Sequence, residues 1–242
     1  MHALEVADLE KRYGAVTAVD GMSFHVDKGE VFGLIGPNGA GKTTTLRIVS
    51  TLILPSSGKA VILGHDVVRE PDAVRPLISY LAEDAGTYRN LTGYEYLDIV
   101  SRLYFDSAEK SRIARDKAIE VSGLNGRIRD RMRTYSKGMK RRLQIARALM
   151  TEPKLAVLDE PTYGLDVVQS YRVRQMIMDF ARNSGVAVLL SSHNMLEVEY
   201  LCDRVALVFG GKILETGRVR ELVEDHGASN LEEVFMKVVR DA

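Results

Sequence analysis

Five short apolar runs punctuate the chain: Val31 to Ile35, Ile78 to Leu81, Leu155 to Leu158, Val186 to Leu190 and Val205 to Phe209. Runs this short and this uniformly apolar predict strands buried on both faces, as in a parallel sheet. Between them Lys42 to Ser50, Gln169 to Arg182 and Met195 to Cys202 read as helices. The alternation predicts an α/β sheet covered by helices. Two regions depart from it. From Leu4 to Val26 apolar and polar residues alternate around the turn signals Tyr13-Gly14 and Asp20-Gly21, which predicts a small antiparallel layer. From about Thr92 to Met150 the periodicity is helical, as for an inserted helical subdomain. The tail carries a hairpin-like Gly210-Gly211 and then a helical stretch from Asn230 to Val239. There is no internal repeat and no low-complexity segment.

A length of 242 residues suits one large domain, or one domain with a small inserted subdomain. No apolar run approaches the roughly 18 residues needed to span a bilayer, so the chain is expected to be soluble. The start, Met1 to Glu5, lacks the charged and apolar pattern of a signal peptide, and the single cysteine, Cys202, cannot form an internal disulfide. A cytoplasmic protein is the expectation. Lys plus Arg and Asp plus Glu number 33 each, so the overall field attracts neither nucleic acid nor an anionic membrane, and any partner must be recognised locally.

Gly36-Pro37-Asn38-Gly39-Ala40-Gly41-Lys42-Thr43 follows the first strand directly and, with Thr44, opens a helix. This is the P-loop pattern in its required context. Glycines let backbone N–H groups curl around phosphates, and the helix N-terminus adds a positive dipole end. Lys42 is then placed to reach the β- and γ-phosphates of a nucleoside triphosphate, and the Thr43 hydroxyl to ligate Mg²⁺. The run Leu155 to Leu158 ends in Asp159-Glu160, where an open α/β sheet places its ligand crevice. Asp159 is expected to hold Mg²⁺ through water and Glu160 to polarise the attacking water. An acidic strand end alone means little, since charges commonly end strands; beside a P-loop it gains weight.

Tyr135 to Leu149, containing Ser136-Lys137-Gly138-Met139, resembles the signature segment and helix of ABC transporter ATP-binding subunits. With the P-loop and the acidic strand, the resemblance covers almost the whole chain. It implies a P-loop NTPase (RecA-like) α/β core from 1–90 and 151–210 bearing the antiparallel β layer, a helical signature subdomain at 91–150 and a C-terminal hairpin and helix at 211–242. Ser136 and Gly138, at a helix start, would bind the ATP held by another subunit in a head-to-tail homodimer or heterodimer; Ser136 alone is equally an ordinary N-cap. His193 resembles the family's switch histidine, Gly164-Leu165-Asp166 the loop that communicates across the dimer, and Tyr13 the aromatic that stacks on adenine. Glu83 stands where the family places a Mg²⁺-ligating glutamine; a carboxylate is also a hard ligand, but adds charge near the γ-phosphate.

Lys137 and Met139 replace the commoner glycine and glutamine, and Tyr163 and Val167 flank the Gly-Leu-Asp loop where small residues and proline are frequent. Ser-Lys-Gly-Met and the tail Leu231 to Phe235 are similar to the branch that powers export permeases for drugs, antibiotics, ions or lipids. The resemblance thus implies an ATPase with ATP and Mg²⁺ that powers a separate membrane permease and touches the membrane only through it, at the cytoplasmic face. Tyr88, Asn90 and Leu91 fall on the family's docking surface. Two other functions remain open. One is a soluble ABC ATPase of translation or DNA maintenance, which would carry a second nucleotide domain, long insertions or basic surfaces. The other is a silent module using ATP as glue, against which Glu160 and His193 speak.

Overall fold

The computed structural model describes residues 2–241, and its described elements fall into two sheets with helices against them. Strands β1 (His2–Tyr13) and β2 (Val16–Asp27) form an antiparallel pair. Burial alternates in phase with the sequence: Leu4, Val6 and Leu9 are buried while Glu5, Ala7 and Asp8 are exposed. The three-residue step from Val6 to Leu9 breaks the period of two, and it is absorbed at Asp8, whose φ is 48°. Asp20-Gly21, expected to be a turn, instead lies within β2. Leu9 pairs with Met22 and Lys11 with Val19, so two steps on β1 face three on β2, a bulge relieved by Gly21 at φ 68°.

Strand β3 (Val31–Ile35) leads through the P-loop into helix α1 (Lys42–Val49). Two strands that the sequence reading missed, β4 (Ser57–Ile62) and β5 (His65–Asp66), join the antiparallel sheet in the order β2-β1-β4-β5. A short helix α2 (Pro71–Val74) precedes β6 (Ile78–Leu81). The helical region holds α3 (Gly93–Tyr104), α4 (Ala108–Ser122) and α5 (Lys137–Leu149), with two short 3₁₀ turns between α4 and α5. Thr92 and Glu95 form a reciprocal capping box that fixes the start of α3.

The remainder runs β7 (Leu155–Asp159), α6 (Val167–Ser184), β8 (Ala187–Ser192), α7 (Met195–Val198), β9 (Arg204–Phe209), β10 (Lys212–Arg218), α8 (Val219–Asp225) and α9 (Leu231–Asp241). The second sheet has the order β10-β9-β3-β8-β7-β6, parallel except for the antiparallel edge strand β10. β3, β7 and β8 are buried at every position, which is why they read as unbroken apolar runs. The helix expected from Met195 to Cys202 is shorter, ending at Val198.

Each face of the second sheet has its own core. One is filled by the antiparallel layer and α1, through Phe24, Phe32, Leu34 and Leu46. The other is filled by α5, α6, α8 and α9, through Ile145, Ile177, Leu222 and Phe235. A third cluster joins α3, α4 and α5. Helix α5 serves two cores at once, turning Ile145 and Leu149 to the sheet and Leu143 and Ala146 to the helical layer. No helix among the described residues is long and apolar enough to cross a membrane.

Candidate active site

The loop after β3 is shaped by contacts that admit no side chain. A Cβ on Gly36 would lie 2.0 Å from the Val208 carbonyl, and one on Gly41, at φ 99°, would lie 2.3 Å from the Ala18 carbonyl. Only glycine fits such approaches. Ala18 belongs to the bulged part of β2, and Asp20 N–H donates to the Gly211 carbonyl at 2.8 Å. The bulge and the β9–β10 hairpin therefore form the wall against which the loop is moulded. Lys42, 5% exposed, donates from Nζ to the carbonyls of Gly36 at 2.6 Å and Pro37 at 3.0 Å. Burial pulls its pKa down, and the charges of Glu160 and Asp159 oppose that pull.

Two acids close the other side. Asp159 is 1% exposed; its Oδ1 accepts hydrogen bonds from Thr43 Oγ1 at 3.0 Å and from Ser191 Oγ at 2.6 Å, and its Oδ2 accepts one from Tyr80 OH at 3.4 Å. The Ser191 hydroxyl in turn accepts from the backbone N–H of Glu160 at 3.0 Å. Glu160 turns sharply off the strand with φ 45°, a conformation costly for a non-glycine residue. Its Oε2 lies 2.9 Å from His193 Nδ1. Its Oε1 is buried, accepts no hydrogen bond among the described residues, and lies 3.7 Å from Lys42 Nζ, beyond hydrogen-bond length.

A cleft of about 230 Å³ opens between these elements, with Asn38, Gly39, Lys42, Thr43, Thr44, Glu83 and Glu160 in its walls. Glu83, after β6, is thus brought to the P-loop, with its side chain exposed. His193 is held from behind: Asn194 caps α7, and Glu197 on that helix accepts from Thr162 Oγ1 at 2.5 Å and pairs with Arg174 at 3.2 Å. Tyr163 packs edge-on against the His193 ring at 5.5 Å.

Tyr13, Ser136, Gly138 and Asp166 do not line this cleft. Tyr13 is half exposed, with Lys11 Nζ 5.1 Å above its ring. Ser136 is exposed and caps α5, accepting from Met139 N–H at 3.2 Å. Asp166 caps α6, accepting from Gln169 N–H at 2.8 Å. The two helix starts abut, because a Cβ on Gly138 would lie 2.4 Å from Gln169 Cγ. The site therefore consists of one assembled cleft and one separate polar face. Ser191, Tyr80 and Arg141, all bound to the acid strand, were not picked out by sequence reasoning. The only signal for Ser191 was a polar Ser-Ser pair ending an otherwise apolar strand.

A cradle of close-packed glycines, a buried lysine and a hydroxyl joined to a carboxylate suits a phosphate accompanied by a hard divalent cation. Thr43 Oγ1 and Asp159 Oδ1 already lie together, as two oxygen donors to one such ion must.

The family model described as ABC transporter matches residues 19–163. The chain is 40% identical over 236 residues to the daunorubicin resistance ATP-binding protein DrrA3 of Streptomyces coeruleorubidus, covering 96% of this chain and 73% of that protein. It is 36% identical over 221 residues to the bacitracin transport ATP-binding protein BcrA of Enterococcus faecalis, covering 91% and 71%. Among solved structures, one described as the ATP-binding subunit of an ABC transporter superposes with a TM-score of 0.85 at 29% identity, covering 98% of this chain and 99% of that one.

Proposed function

The chain belongs to the ABC transporter family as an ATP-binding and ATP-hydrolysing subunit, and from that premise we propose how its residues act and what it drives. The 36–44 loop holds the triphosphate of ATP, with Lys42 turned from its two carbonyls towards the β- and γ-phosphates. Thr43, Asp159 and Glu83 hold Mg²⁺, which when bound neutralises charge on the phosphate oxygens. Tyr13 offers its exposed ring to the adenine.

Glu160 is the general base. The observation that carries this role is its Oε1, a buried carboxylate oxygen facing the phosphate cradle with no donor of its own. Its lone pairs are uncommitted, so it can accept a proton from a water brought into the cradle beside the nucleotide. His193 fixes the carboxylate through Oε2 and Lys42 keeps it close to the cradle. Ser136, Gly138 and Asp166, outside the cleft, complete the site of a second subunit in a head-to-tail dimer. Closure of that dimer around ATP and its release after hydrolysis drive a permease at the cytoplasmic face of the membrane. Likeness to the daunorubicin and bacitracin proteins favours export.

Removing the base should leave binding intact. Glu160→Gln is expected to bind ATP, to lose hydrolysis by about 10²–10⁴-fold, and to accumulate as an ATP-bound dimer in size-exclusion chromatography. Lys42→Ala is expected to lose ATP binding itself. Turnover by Glu160→Gln at the wild-type rate would remove Glu160 from this role. Co-purification with ribosomes or DNA in place of a membrane protein would favour a role in translation or DNA maintenance.

A further inference from the structure

We infer that Arg141 is the positioning residue that makes the Ser136 end of α5 and the acid end of β7 move as one body, together with the loop carrying Glu83. Arg141 lies on α5, is 6% exposed, and spends every N–H of its guanidinium on a backbone carbonyl. Nε donates to Pro161 at 2.9 Å; Nη1 donates to Ala82 at 2.9 Å and Glu83 at 3.2 Å; Nη2 donates to Asp159 and Glu160, each at 2.7 Å.

Arg141 makes no ion pair among the described residues. Burying an unpaired charge is costly, so a side chain used only to fill space here would be apolar. Burial does pull the guanidinium down to about 10, with the charges of Asp159, Glu83 and Glu160 opposing, so it remains a cation at neutral pH.

The choice of acceptors gives the residue its function. Asp159, Glu160 and Pro161 are the turn in which Glu160 is held at φ 45°. Arg141 grips the carbonyls on both sides of that turn while Ser191 grips the Glu160 N–H. Ala82 and Glu83 continue β6, whose ladder with β7 ends at Leu81 and Leu158; beyond that end the fork ties the two segments to each other and to α5. A lysine, with a single ammonium, cannot span five carbonyls in one plane. Ser136 sits five residues earlier on the same helix. A displacement of that helix start, as when it meets a second subunit's phosphate, is thereby delivered to the base and to Glu83 together.

The inference rests on Glu160 and Glu83 acting as proposed above, and its test separates the two. Arg141→Lys and Arg141→Met, made in the full chain, keep the charge or the unbranched packing respectively and remove the fork. Both are expected to bind ATP within about threefold of wild type, since neither touches the 36–44 loop. Turnover per folded molecule is expected to fall by about 100-fold, and the ATP-bound dimer of Glu160→Gln to disappear when either change is added. A lowered Tm with turnover per folded molecule kept within about threefold of wild type would make Arg141 a structural brace and overturn the inference. Wild-type turnover by Glu160→Gln alone would instead remove the base and leave the Arg141 comparison standing. Should both variants fail to fold, hydrogen exchange on the wild type decides: amides 82–83, 159–160 and the first turn of α5 must gain protection at the same ATP concentration, and separate midpoints overturn the inference.

Discussion

Glu83 and Glu160 approach the same cleft with opposite degrees of freedom. Glu160 is buried and fixed by His193, whereas Glu83 has an anchored backbone and an exposed side chain. An exposed carboxylate at the rim repels a triphosphate but attracts its cation. At about 1 kcal/mol for unit charges 4 Å apart in water, the two effects are measurable. Glu83→Gln is expected to tighten binding of ATP without Mg²⁺ by a few fold, and to raise the Mg²⁺ concentration needed for half-maximal hydrolysis. Unchanged values for both would place Glu83 outside the metal site. At this scale the sequence showed residues whose chemistry is carried by a local motif: the loop glycines, Lys42, Thr43 and the two acids. It did not show Ser191, Tyr80 or Arg141, whose partners are 32, 79 and between 18 and 59 residues away. A serine in a strand or an arginine in a helix has no spacing that marks its partner before the sheet is assembled.

Helix starts raise a similar ambiguity one level up, because a side chain that caps a helix and one that receives a phosphate use the same N–H groups. Ser136 caps α5. Its two readings part in the variant Ser136→Asp. Aspartate caps as well as serine and suits the helix dipole, so Tm is expected to hold, whereas its charge repels a phosphate brought by a second subunit. ATP-dependent dimerisation and hydrolysis should therefore be lost while ATP binding to the monomer persists; retained dimerisation would reduce Ser136 to a cap. Elements buried on both faces, such as β3, β7 and β8, were legible because a continuous apolar run has few other solutions. The bulge at Asp20-Gly21 was not, because Asp-Gly serves a turn and a bulge equally, and only pairing with β1 shows that the strand continues. β4 escaped notice because its first half, Ser57, Gly58 and Lys59, is exposed and shows no alternation.

At the scale of the whole molecule, the parts proposed to recognise phosphate lie in two places that one chain does not bring together. The P-loop faces the cleft closed by Glu160, and the Ser136 face stands outside it. The helical layer is also less separate than its periodicity suggested, since α5 shares the sheet's core and, through Arg141, is bonded to the strand that ends in Asp159. If two chains meet head to tail, each composite site takes its P-loop from one chain and its Ser136 face from the other. A chain with Lys42→Ala and a chain with Ser136→Asp are then each inactive alone, but in a mixed dimer one site has both faults and the other has none. Equal mixing gives half of all dimers one intact site of two, so about a quarter of the wild-type rate should return if one site suffices for turnover. A site complete within one chain predicts a different result: Ser136→Asp would be active alone, and its partner would add nothing. Recovery on mixing, rising with total protein concentration, is the outcome that two separated half-sites require.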